Sequence, residues 1–229
     1  MPRSAAIAEL LAVLAPPACA ACGAPVTRAE ILVCADCLRA LPWLRGRRCP
    51  RCALPRHRPT GCPAARAAFT AAWAPMAYDG PARSLVQALK FRGALPAATL
   101  MAAQIAATLP DAVRGAAAAV VPVPPQRTRR RARGFDPAGL LAAGLAPRLG
   151  LPVAAVLERR DRAPRQTRAS RTARRSPGHI DIVARAQPPP ALLLVDDVHT
   201  TGATLDACAR ALRAAGATEI AAVTYARTL

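Results

Sequence analysis

The sequence predicts an α/β fold, a mainly parallel sheet flanked by helices, with a small cysteine-rich module ahead of it. Three observations carry that reading. From about residue 71 to the C-terminus, short apolar runs alternate with helical spacings, the order that builds a parallel sheet. Seven of the eight cysteines fall within residues 19–62, ahead of the alternating part. Leu192 to Val195, four apolar residues, run into Asp196-Asp197 and then Thr200-Thr201-Gly202-Ala203-Thr204. That pattern reads as a buried strand, a tight loop and the start of a helix over Leu205 to Ala215.

At the N-terminus, the apolar stretch Ile7 to Val13 is interrupted by Glu9, and Pro16-Pro17 stand before Cys19. An export signal would carry small residues there, so an amphipathic starter helix and a cytoplasmic protein are expected. No apolar run reaches the roughly 18 residues of a transmembrane helix, so no membrane insertion is expected.

The cysteines come as Cys19-x-x-Cys22, Cys34-x-x-Cys37 and Cys49-x-x-Cys52, followed by Cys62. Repeated C-x-x-C pairs without an export signal read as zinc knuckles rather than disulfides. The first two pairs supply one complete set of four thiolates. The second set holds three cysteines, and Ala65 stands where a fourth would complete a knuckle. His57 lies between Cys52 and Cys62 and is either the fourth ligand or a solvated loop residue. Both gaps between consecutive pairs are 11 residues long, so spacing does not exclude cross-pairing. One or two structural Zn²⁺ ions are expected, since metal supplies the folding energy a tiny core cannot. Cys208, alone in the last helix, reads as a core residue.

The remaining elements follow in order. Ala71 to Tyr78 reads as a strand, Gly80-Pro81 opens a helix reaching Lys90-Phe91-Arg92-Gly93, and Pro96 to Leu109 reads as another. Ala116 to Val123 reads as a buried strand running into Arg127, Arg129, Arg130, Arg131 and Arg133. A helix is expected from Asp136 to Leu149, strands at Val153 to Leu157 and Ile180 to Val183, and a last strand at Ile220 to Tyr225. Residues 159–180 lack periodicity and read as a long functional loop.

The net charge of +19 invites a nucleic-acid reading, but 31 of the 32 basic residues are Arg, a bias that genome composition also produces. Between Arg127 and Arg185 stand 15 Arg against four acids, a surplus of 11. Such a stretch suits a polyanion, either a pyrophosphate or a nucleic-acid backbone. Few aromatics accompany it, so stacking platforms for single strands are missing.

The Thr200 to Thr204 turn, with its outward N–H groups and the hydroxyls of Thr200, Thr201 and Thr204, makes a phosphate cradle. No Lys follows the Gly, so it is not a Walker A loop. The paired Asp196 and Asp197 suit the cis-diol of a ribose.

Together these residues resemble the 5-phosphoribosyl-1-pyrophosphate (PRPP) signature of type I phosphoribosyltransferases. The wider pattern is similar to the ComF family: the cysteine module, Leu89-Lys90-Phe91-Arg92-Gly93, Val121-Pro122-Val123-Pro124 before Arg129 to Asp136, and the Asp196 to Thr204 signature. Gln166-Thr167 and Arg171 fit as well. Ala65 and Asp136-Pro137 depart from the family pattern. The resemblance implies a type I phosphoribosyltransferase fold, with the N-terminal helix and double zinc ribbon at 1–66 and the phosphoribosyltransferase domain at 67–229. It implies pentosyl transfer from PRPP with Mg²⁺. Asp196 and Asp197 would be the catalytic pair, holding the diol. Thr200, Thr201, Gly202, Ala203 and Thr204 would hold the 5′-phosphate, and Lys90, Arg129 and Arg133 the pyrophosphate. ComF-like proteins are linked to natural DNA uptake, so single-stranded DNA and the uptake machinery are expected partners. A zinc-ribbon adaptor on a non-catalytic scaffold is the other reading.

Overall fold

The computed structural model describes residues 17–57, 61–160 and 180–229. The expected starter helix and most of the 159–180 loop, with Gln166, Thr167 and Arg171, lie outside the described residues. In chain order the elements are α1 (Ala35–Arg39), β1 (Ala71–Trp73), β2 (Met76–Ala77), α2 (Gly80–Arg92), α3 (Pro96–Ala106) and α4 (Asp111–Arg114). Then come β3 (Val120–Pro122), α5 (Arg127–Arg133), α6 (Pro137–Leu149), β4 (Leu157–Arg159), β5 (Ile182–Ala184), β6 (Ala191–His199), α7 (Ala203–Ala214) and β7 (Glu219–Arg227).

The main sheet is parallel throughout, in the order β1, β7, β6, β3, with β2 beside the far end of β7. Its central strands are apolar on both faces, as a parallel sheet covered on both sides requires. Along β6 the side chains alternate. Leu193 and Val195 join Leu85, Leu89, Met101, Ile105, Leu141 and Leu145 from α2, α3 and α6 on one face. Leu192 and Leu194 join Leu205, Cys208 and Leu212 from α7 on the other, which places Cys208 in the core as expected. Helices α3 and α6 approach closely at Gly144, where a Cβ would lie 3.0 Å from that of Ala102.

The cysteine module straddles one edge of this sheet. Cys19, Val33, Cys37 and Leu41 enter the core on the α2–α3–α6 side, whereas Cys52, Ala53 and Ala64 enter the core on the α7 side. Backbone hydrogen bonds from Ala72 to Pro50, Leu44 to Pro75 and Ala77 to Pro42 stitch the module to β1 and β2.

Four expected strands differ in the structure. The strand expected over Ala71 to Tyr78 breaks at Ala74-Pro75, because proline has no N–H for the ladder. The strand expected at Leu192 to Val195 continues to His199, pairing Asp196 with Thr224 and His199 with Arg227. Val153 makes only an isolated bridge to Val120. The strands expected at Val153 to Leu157 and Ile180 to Val183 shift to β4 and β5, which pair antiparallel with each other outside the main sheet. Among the described residues, no helix is long and apolar enough to cross a membrane.

Candidate functional site

Both cysteine groups converge. The ligand atoms of Cys19, Cys22, Cys34 and Cys37 all lie within 4.8 Å of one another, and so do those of Cys49, Cys52, His57 and Cys62. Cys22 and Cys34 Sγ are 3.8 Å apart, as are Cys49 and Cys62 Sγ. Four sulfurs bound tetrahedrally to zinc at about 2.3 Å stand about 3.8 Å from their neighbours, so both donor sets fit Zn²⁺. His57 joins the second group rather than solvent, and the knuckles pair in sequence rather than crossing. In the first group the N–H of Cys34 donates to Cys19 Sγ at 3.3 Å. Burial pushes the Cys19 thiol up, but N–H groups of Cys22, Cys34 and Ala21 outweigh it and bring the thiol down to about 6. That favours the thiolate a metal needs at Cys19, while burial and the neighbouring thiols push Cys37 up.

The ligand cleft opens at the C-terminal ends of β3 and β6, where parallel α/β sheets place their sites. It encloses about 250 Å³ and is lined by Lys90, Arg129, Arg133, Asp136, Asp196, Asp197, Thr200 and Thr204, among others. Each comes from a different local device. Lys90 stands in the last turn of α2. Arg129 and Arg133 lie on α5, a seven-residue helix carrying five arginines where the sequence suggested only a basic run after Pro125. The Arg133 guanidinium sits 5.1 Å from the centre of the Phe91 ring, a cation–π contact. Asp136 caps α6, accepting from the N–H of Ala138 at 3.1 Å. Thr201, Gly202 and Ala203 line an adjoining cleft of about 190 Å³ with Phe69, His199, Asp206 and Arg210. The Thr201 hydroxyl is engaged locally, accepting from the N–H of Ala203 at 3.4 Å.

The charges of the cleft pair with one another. Lys90 Nζ lies 2.6 Å from Asp197 Oδ1, and Asp197 is only 5% exposed. The cation expected on a pyrophosphate thus has a carboxylate partner of its own. Asp196 accepts from the N–H of Asp197 at 2.8 Å. Burial, then repulsion from Asp197, pushes the Asp196 carboxyl up to about 8, against the pull of that N–H and of Lys90. Part of its surface opens to the cleft, where water moderates the rise.

This raised carboxyl has a stability consequence. Its contribution is fully present below the unfolded-state value near 3.9 and is lost as pH climbs towards about 8. Asp196→Asn is therefore expected to raise the melting temperature of the ligand-free protein at pH 8 and to change it little near pH 4. Each kcal/mol relieved corresponds to about 2–4 °C in a chain of this size. Thermal melts at both pH values test this, and an unchanged or lower melt at the higher pH contradicts it.

Two residues that the sequence did not single out sit beneath the loop. His199 is 3% exposed and packs edge-on against Phe69, with centroids 6.0 Å apart. Burial, then the nearby Arg227, lowers it to about 4, so it is neutral at ordinary pH. Gly202 takes φ +81°, and a Cβ there would fall 2.8 Å from His199 Nε2, so only glycine passes over the ring. The other residue is Arg227. A single charge at the end of an apolar strand gave no sequence signal, and His199 lay unread within the Asp196 to Thr204 motif.

A carboxylate pair, a threonine-rich turn and three cations thus stand together at the C-terminal edge of a parallel α/β sheet. Comparison with protein families finds two domains. A double zinc ribbon domain matches residues 10–66, and a phosphoribosyl transferase domain matches residues 136–228. No curated protein matches the chain in sequence. The chain thus joins an N-terminal double zinc ribbon to a phosphoribosyltransferase domain. Lys90, Arg129 and Arg133 lie outside both matched segments and come to the cleft only through the fold.

Proposed function

We propose that this protein binds PRPP with Mg²⁺ in the Asp196–Thr204 cleft and transfers its phosphoribosyl group, as a member of the ComF family. The observation that carries this reading is one cleft lined by Asp196, Asp197, Thr200 and Thr204 together with Lys90, Arg129 and Arg133. Carboxylates accept from a ribose diol, the turn accepts a 5′-phosphate, and arginines grip phosphate oxygens bidentately. Pyrophosphate leaves C1 through an oxocarbenium-like state, so the protein's task is to hold the ribose and neutralise leaving charge. The accessible oxygens of Asp196 are hard donors suited to Mg²⁺, which when bound supplies charge neutralisation at the pyrophosphate. Lys90 would exchange Asp197 for the pyrophosphate on binding. The domain division at residue 66 and a cytoplasmic location belong to the same proposal.

Titration calorimetry with PRPP is expected to show binding that needs Mg²⁺ and is displaced by ribose 5-phosphate. No heat with either compound overturns the reading. A screen of nucleobases and single-stranded DNA for pyrophosphate release then identifies the acceptor. A polyanion reading draws on the same region, since Arg129, Arg130 and Arg131 are exposed on α5. A role beside DNA-uptake machinery, as an adaptor on this scaffold, predicts DNA binding without pyrophosphate release in that screen. Such binding would weaken steeply with salt.

A further inference from the structure

We propose that Arg227 couples the second metal knuckle to the phosphate loop, so that an ordered Cys49–Cys52–His57–Cys62 group is a condition for tight binding of a ribose 5-phosphate. This rests on the reading of residues 200–204 as the phosphate-binding turn.

Arg227 ends β7 and is 4% exposed. Its guanidinium spans the two sites. Nε donates to the carbonyl of Cys52 at 2.9 Å, while Nη1 donates to the carbonyls of His199 at 2.8 Å, Thr200 at 2.6 Å and Thr228 at 2.7 Å. Among the described residues no carboxylate pairs with it. A buried cation is costly, and the carbonyl dipoles, together with the charge of the nearby Cys52 and Cys62 sulfurs, offset that cost. The four carbonyls are therefore held to one rigid planar fork, and one of them belongs to a knuckle cysteine while two lead into the loop.

Two more contacts run in parallel. Asp206, in the first turn of α7, accepts from the N–H of Ala68 at 2.7 Å. Phe69, next along, carries the His199 ring that lies under Gly202. The segment holding Ala68 and Phe69 follows directly from Cys62. It is pinned to the Cys49–Cys52 turn by Arg51, which donates to the carbonyls of Ala64 at 3.1 Å and Ala67 at 3.0 Å. When the knuckle loses its order, the Cys52 carbonyl leaves the fork, and the start of the loop loses the partner that fixed it.

The test is a double-mutant cycle in the full chain, with ribose 5-phosphate as the probe. Cys62→Ser and Arg227→Lys are each expected to weaken binding about 5- to 150-fold, the range of site-to-site couplings. The double variant should be little worse than the weaker single, because both changes break the same link. Zinc analysis should show that Cys62→Ser keeps the first site filled. Deuterium uptake over residues 199–205 should rise in both single variants, a readout that needs no ligand. Should the wild type bind neither PRPP nor ribose 5-phosphate, the functional reading fails and the uptake result alone decides the coupling. Effects on affinity that multiply independently, or loop uptake equal to wild type in both variants, would overturn the proposal. Lys keeps the charge but cannot reach four carbonyls, and Arg227→Gln serves as a second variant if the first does not fold.

Discussion

Asp196→Asn combined with Asp197→Asn is expected to remove nearly all affinity for PRPP. Each carboxylate offers charge-assisted hydrogen bonds to a ribose hydroxyl worth about 1.5–3 kcal/mol. Losing both costs roughly 3–6 kcal/mol, or roughly 10²- to 10⁴-fold in Kd. The two positions should not contribute alike. Asp196 opens to the cleft, and burial and Asp197 push it towards its neutral form, so its amide should bind ligand weakly while folding well. Asp197 is the partner of Lys90 at 2.6 Å, so its amide also leaves that cation unpaired. Part of its effect should therefore appear in the melting temperature as well as in affinity. Calorimetric titration of both single variants and the double against wild type measures this. Wild-type affinity in the double variant would end the assignment of these carboxylates to the ribose.

Zinc removal is expected to have the larger effect on the fold itself. Protein purified without added metal should contain two equivalents, one for each group of four donors. A structural zinc site contributes roughly 10–16 kcal/mol of apparent binding energy, while a whole domain is stable by only about 5–15 kcal/mol. Chelation should therefore unfold the cysteine module. It should also loosen the sheet domain, because module residues belong to both hydrophobic cores. Calorimetry of stripped protein should show a broadened transition at much lower temperature, restored by Zn²⁺. Metal content near zero, with disulfides seen by mass spectrometry, would refute the metal sites.

What the sequence disclosed divides along physical lines. Local patterns were legible. Short continuous apolar runs located the sheet strands, helical spacing located α2, α3, α6 and α7, and cysteine spacing located the two donor groups. Partnership between distant segments was not. Val153 to Leu157 and Ile180 to Val183 look like strands of the main sheet, yet β4 and β5 pair with each other. Glu158 on β4 takes both Arg127 and Arg185 as ion-pair partners, tying the ribbon to α5. The end of β6 was placed short because Asp196 and Asp197 are polar. Their backbone nonetheless stays in the ladder while one carboxylate meets Lys90 and the other faces the cleft. The Arg127 to Arg133 run hid a helix, since arginine is a good helix former whose pattern carries no apolar stripe. Spacing left His57 undecided because a loop histidine and a ligand read alike until Cys49, Cys52 and Cys62 surround one of them. In the candidate site, the residues of the Asp196 to Thr204 motif are legible in the sequence. The supports, Arg227 and His199, are not.

The stitching of the cysteine module to β1 and β2 bears on how the protein behaves in company with its own copies. An outer strand offers a row of free N–H and C=O groups that a second chain can join. Here Ala72 and Ala77 spend outward N–H groups on the carbonyls of Pro50 and Pro42, and the Pro75 carbonyl receives Leu44. The module is thus a cover over an adhesive margin as well as a metal carrier. Metal starvation would strip that cover and expose short alanine-rich strands to one another.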